Sequence, residues 1–170
     1  SVPFAIVNDL EFLASLPPRA CRDGIIEAIK VSLIRDRNFY DYLLANGAAL
    51  GRLETRPLEM TIRRSAENHV EHIATSGDPF EYGSARPLDF GHWAAHKLEQ
   101  ISHFQVSHGE AVAVGMAVDL LYSVHIGLLD RATAEEILGL IETVGFSLWS
   151  SELDREERGR PVILAGLEEF

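Results

Sequence analysis

The chain carries one cysteine, Cys21, in 170 residues, which excludes an internal disulfide framework and any zinc module built from clustered thiolates. No apolar run approaches the roughly 20 residues that a membrane-crossing helix needs. The first residues lack the basic-then-apolar order of a secretory signal. Positive charge is scarce: 15 lysines and arginines stand against 26 aspartates and glutamates, a formal net charge of −11. That leaves no basic stripe to grip a phosphate backbone, so neither nucleic acid nor a membrane is an expected partner. Lysine is rarest, with Lys30 and Lys97 against thirteen arginines. Strand signals are also few, since only PFAIVND near the start and RPVILAG near the end look strand-like. No fixed-period repeat occurs. What is present is a chain 46% hydrophobic, enough for one domain with its own core. The expectation is one soluble, cytoplasmic, all-α domain over residues 1–170.

Helical periodicity fills most of the chain. NDLEFLASL follows a cap at Asn8 and stops at Pro17-Pro18. ACRDGIIEAIKVSLI places Ile25, Ile26, Ile29, Val31 and Leu33 on a broad apolar face. RNFYDYLLANGAAL predicts another helix, ended or interrupted around Gly47, and Pro57 suits the first turn before LEMTIRRSAENHVEHIAT. SGDPFEYGSARPLDFG is too rich in glycine and proline for an element and predicts a loop, longer than a compact connector requires. HWAAHKLEQI, GEAVAVGMAVDLLYSVHIGLL and TAEEILGLIETV supply three more helices. Thr133, with Glu136 three residues on, predicts a capping box, and Gly127 and Gly145 stand where helices commonly end. The apolar opening SVPFAIVND and the uncapped close GLEEF give the expectation of a domain truncated at both ends.

The histidines cluster. His92, His96, His103 and His108 fall within GHWAAHKLEQISHFQVSHGE, and His92 and His96 stand four apart, on one helix face. Neutral imidazoles so related commonly hold zinc with a third ligand from elsewhere; the blander reading is one polar surface histidine and one satisfied, half-buried one. His108 opens a very apolar helix and is placed to point into a pocket. The acidic candidate is Glu27, inside GIIEAIKVSLI, with Lys30 three residues on. As an ordinary i, i+3 surface ion pair the two would matter little, but a lysine on an apolar helix stands out in a chain that writes its positive charges as arginine. The long loop delivers Arg86 and Asp89 just before His92; Arg86 suits a phosphate or carboxylate, and Asp89 suits an N-cap. Glu67, His69, Glu71 and His72 in ENHVEH read first as a solvated helix face.

Three motifs now appear in order: RDGIIEAIKVSLIRDRNFYDYL, RPLDFGHWAAHKLE and SHGEAVAVGM. In them the sequence resembles the C-terminal, metal-binding half of the 3-dehydroquinate synthase family, the sugar phosphate cyclases, over nearly the whole chain. The resemblance implies the helical domain of that fold without its N-terminal nucleotide-binding α/β domain. It implies zinc, with cobalt as an alternative, on Glu27, His92 and His108. It implies Lys30 and His96 as catalytic residues, and Lys30, Arg86, Asp89 and His69 as contacts to a sugar phosphate substrate. NAD would be held mostly by the missing domain, and a homodimer is the common assembly. The implied chemistry is carbocycle formation with phosphate elimination, a carbon–oxygen lyase reaction in which zinc acts as a Lewis acid.

This sequence departs from the family pattern at three places. Asp89 stands where the dehydroquinate enzymes have asparagine, His69 stands near their substrate-binding lysine, and Arg86 aligns only with one residue deleted from the loop. A carboxylate for an amide, with a fixed cation lost, disfavours a carboxylated substrate, so the expected substrate is a seven-carbon sugar phosphate without a carboxylate. The chain alone is expected to hold zinc without cyclase activity. Two alternatives stay open: a metal-dependent alcohol or polyol dehydrogenase of the related fold, and a non-catalytic helical interaction domain.

Overall fold

The computed structural model describes residue 5 and residues 7–75 and 86–169. A 3-10 turn (Leu10–Ser15) leads into α1 (Pro18–Arg35), α2 (Arg37–Gly51) and α3 (Thr55–Thr75). A second 3-10 turn (Arg86–Asp89) precedes α4 (His92–Ile101), α5 (His108–His125) and α6 (Arg131–Thr143). After a third turn (Ser151–Asp154), the two-residue strands β1 (Glu156–Glu157) and β2 (Arg160–Pro161) pair antiparallel. A turn over Val162–Ala165 and the short α7 (Gly166–Glu169) end the described chain. The domain is all-α, as expected, and among the described residues no helix is long and apolar enough to cross a membrane.

The core forms around α5. Its run from Ala111 to Ala117 is buried throughout, so α5 is enclosed on nearly all sides instead of showing one apolar stripe. α1 crosses it with Ile25, Ile26 and Ile29 fully buried, α4 lies against it with Ala94, Ala95 and Leu98, and Leu140 and Ile141 of α6 cover a further side, while Phe39, Leu43 and Leu50 of α2 pack against α1 and α6. Two glycines let α5 approach its neighbours. A side chain at Gly109 would collide with Asp23 of α1, and one at Gly115 would collide with the backbone of Gly91, the residue before α4. Gly91 itself takes a left-handed φ of 77°, which glycine adopts without strain. Lys97 of α4 pairs with Glu169 of α7 at 2.6 Å and ties the C-terminal turn to the body.

Several local expectations are corrected. The cap of α6 is Asp130, whose Oδ1 accepts the Thr133 amide at 2.9 Å and whose Oδ2 accepts its hydroxyl at 2.6 Å. The helix starts two residues before Thr133, so Thr133 lies within its first turn; the capping box belongs instead to Ser107 and Glu110 on α5. Asp9, not Asn8, caps the first turn, which is 3-10. Gly47 does not interrupt α2; it faces Leu140 and Thr143 of α6 with no space for a side chain. Of RPVILAG only Arg160 and Pro161 pair as strand, because Pro161 has no N–H to extend the ladder and the next turn buries Ile163. PFAIVND falls partly outside the described residues. His72 is buried, so the ENHVEH face is not wholly solvated.

Candidate metal centre

Glu27 projects from the middle of α1, while His92 and His108 are the first residues of α4 and α5. The close crossing of α5 with α1 and with the turn before α4 brings these three positions together. Glu27 Oε1 lies 3.7 Å from His92 Nε2 and 3.4 Å from His108 Nε2. One ligand atom from each residue falls within 4.8 Å of the others. A tetrahedral cation with bonds of about 2.0–2.1 Å sets its ligands roughly 3.3–3.4 Å apart, close to the two measured separations.

The hydrogen bonding around the three residues determines what they present to that space. His92 Nδ1 lies 3.2 Å from the carbonyl of Phe90, which can only accept, so Nδ1 carries the proton and Nε2 turns a lone pair inward. His108 Nδ1 lies 3.4 Å from Glu99 Oε2, an acceptor for the same tautomer. Glu27 Oε1 is buried and has no hydrogen-bond partner. The His92 lone pair accepts from the Lys30 ammonium at 3.3 Å, while the unsatisfied Glu27 oxygen and the His108 lone pair face the same space, an arrangement that costs free energy unless a cation lies there. Burial, then the Lys30 ammonium, pushes the His92 ring below its ordinary pKa and keeps it in the neutral form that can ligate. His92 also sits at a helix N-terminus, where the helix dipole opposes a positive ring. These residues fit a zinc or cobalt ion on the donor set of two nitrogens and one oxygen.

Lys30 is 4% exposed, and its Nζ stands 2.7 Å from Glu27 Oε2 and 3.3 Å from His92 Nε2. It is therefore no ordinary surface ion pair. His96 lies exposed one turn beyond His92, with its ring centroid 5.5 Å from that of His92 and 6.2 Å from that of His108. His96 is not in the first ligand set; with Glu99 and His108 it forms a second candidate set. Asp89 is half-buried at the end of its 3-10 turn and does not cap α4, whose N-cap is Gly91. His69 is exposed on α3 and belongs to neither ligand set. The Arg86 side chain and most of the long loop before it lie outside the described residues.

The sequence reading gave no role to two residues. Glu99 stands three residues after His96 on α4, a spacing that could have marked it. Asp119 on α5 accepts the Gly91 amide and the Trp93 indole, each at 2.8 Å, and holds the start of α4 from both sides of His92. No sequence signal links positions so far apart.

Comparison with known proteins gives a consistent result. Residues 24–160 match the family described as 3-dehydroquinate synthase C-terminal. A 3-dehydroquinate synthase of Halorhodospira halophila is 37% identical over 144 residues, covering 84% of this chain and 40% of the relative. A 3-dehydroquinate synthase of Saccharolobus solfataricus is 32% identical, covering 89% of this chain and 43% of its own length. A 2-epi-valiolone synthase of Actinosynnema mirum is 30% identical, covering 96% and 42%. Among solved structures, a 2-epi-5-epi-valiolone synthase of Streptomyces hygroscopicus subsp. jinggangensis with NAD+ and Zn2+ bound superposes with a TM-score of 0.78. It is 27% identical, with 95% of this chain and 43% of that one covered. The chain thus spans about two fifths of the length of these relatives.

Proposed function

This chain belongs to the 3-dehydroquinate synthase C-terminal family, and on that premise we propose that it is the metal-binding half of a sugar phosphate cyclase. Glu27, His92 and His108 would hold the zinc ion. The bound ion supplies Lewis-acid polarisation of a substrate hydroxyl or carbonyl oxygen. Lys30, buried against Glu27, fixes that carboxylate and places a positive charge beside the site. His96, exposed at the rim, moves a proton to or from the substrate. NAD is carried by the rest of the enzyme, and the overall reaction closes a carbocycle with loss of phosphate.

The observation that carries this reading is the convergence of Glu27, His92 and His108 on a space into which Glu27 Oε1 points without a hydrogen-bond partner. Asp89 and His69, in place of an amide and a lysine, favour a seven-carbon sugar phosphate that lacks a carboxylate. The likeness to valiolone synthases is in keeping with that choice.

Metal analysis of the purified chain tests the site. One zinc per chain is expected, lost when His92→Ala and His108→Ala are combined; no stoichiometric zinc would favour a helical interaction domain. Joined to its nucleotide-binding half, the protein is expected to release inorganic phosphate from an uncarboxylated seven-carbon ketose phosphate faster than from a carboxylated seven-carbon one. NADH formation without phosphate release would identify a dehydrogenase instead. The 170-residue chain alone is expected to give no NAD-dependent turnover.

A further inference from the structure

The three proposed ligands are not equally constrained. The His92 side chain is 12% exposed, walled in and bonded to the Phe90 carbonyl. The His108 side chain is 43% exposed, on the first residue of α5, with the rings of His92 and His96 at 5.4 and 6.2 Å on its near side. Its Nδ1 faces a carboxylate oxygen of Glu99. That carboxylate is only 18% exposed and rises from the third turn of α4, beside a C-terminal turn in which the Glu99 carbonyl accepts the Phe104 amide at 2.8 Å. Glu99 is therefore more enclosed than the ring it faces.

We infer that Glu99 is a positioning residue: by accepting the Nδ1–H of His108 it holds the ring with Nε2 facing Glu27 and makes that imidazole the stronger donor to the cation. This inference rests on the reading of the site as a metal centre. Outer partners of metal-bound histidines fix both tautomer and orientation, and a carboxylate raises ligand basicity more than the neutral carbonyl beside His92 does. Glu99 also forms a candidate cation set with His96 and His108, but a cation on Nδ1 of His108 would move the ring proton to Nε2 and remove the lone pair that faces Glu27.

Zinc titration against a chromophoric chelator tests this on the chain and its Glu99→Ala, Glu99→Gln and Glu27→Gln variants, with the imidazole tautomers of each apoprotein read by nitrogen-15 NMR. Glu99→Ala is expected to bind one zinc about 10–100-fold more weakly, with an altered cobalt absorption spectrum and an unaltered apoprotein melting temperature. Its His108 should shift from the Nδ1–H to the Nε2–H form. Glu99→Gln should recover most of the affinity, since its amide oxygen still accepts from Nδ1–H. Unchanged affinity and tautomer in Glu99→Ala would overturn the inference. So would loss of zinc in Glu99→Ala with retention in Glu27→Gln, which would make Glu99 a ligand in the second set. If the unaltered chain binds no zinc, the metal-centre reading fails, and the tautomer comparison still decides whether Glu99 orients His108.

Discussion

The indole N–H of Trp93 donates to Oδ1 of Asp119 across the α4–α5 interface at 2.8 Å. The other oxygen of the same carboxylate takes the Gly91 amide, so a single side chain on the enclosed helix grips the residues on either side of His92. Asp119→Ala leaves both donors without a partner, at a cost of about 1–3 kcal/mol for each group that stays buried. Thermal unfolding should show that loss, and zinc titration should show weaker binding as the start of α4 loosens. Asp119→Asn keeps one acceptor and should fall between Asp119→Ala and the unaltered chain.

Gly115→Ala and Gly139→Ala should move stability in opposite directions. A methyl at Gly115 meets the Gly91 backbone, which cannot give way as a side-chain tip would. α5 and the turn before α4 must then separate, a strain of about 1–3 kcal/mol. A methyl at Gly139, within α6, meets nothing within 4 Å, and removing the entropy of a helical glycine should add about 0.5–1 kcal/mol. Denaturant titration of the two variants beside the unaltered chain checks both signs.

An alkaline limit to stability is expected from Tyr40. Its hydroxyl donates to Glu136 Oε1 at 3.0 Å, and burial first, then that carboxylate, pushes the phenol well above its ordinary pKa. The folded pKa is raised, so the contribution is fully present below the unfolded value of about 10 and drains away as pH climbs from there toward the folded pKa. Tyr40→Phe should cost about 0.5–1.5 kcal/mol at neutral pH and flatten the fall in melting temperature above pH 10.

Removing the proposed ion should cost stability at a distance from the site, because its ligands come from three helices. With free zinc at 100 times its dissociation constant, binding adds about 2.7 kcal/mol to the folded state. For a domain of this size, stripping it should lower the melting temperature by about 5–11 °C. Calorimetry with and without a chelator measures this, and the Glu27→Gln variant should show a smaller difference.

The helices were legible because their apolar spacing is strong: Ile25, Ile26 and Ile29 are buried as their positions require, and the run from Ala111 to Ala117 reads directly as an enclosed helix. The helix ends at Gly127 and Gly145 were legible too, and both glycines take positive φ. The choice among nearby cap residues was not, since Asp130 and Thr133 both suit the role and the helix start decides between them. At the site, spacing alone pairs His92 with His96, one turn apart on the same helix. The structure also places His108 next to His92, through an approach of α4 and α5 that depends on Gly91 and Gly115. Glu99 and Asp119 gain their roles from that same approach, so local pattern gave no warning of Asp119 and showed Glu99 only as the last residue of a motif, three after His96.

Both lysines of the chain are withdrawn from solvent, Lys30 at 5% side-chain exposure between α1 and α4 and Lys97 at 12% against Glu169. Reagents that acylate amines or bridge them covalently will therefore find almost no side-chain foothold on this surface. Labelling at Lys30, if it occurs at all, will count opening events of the domain, and its slow rate becomes a clock for how often the site breathes.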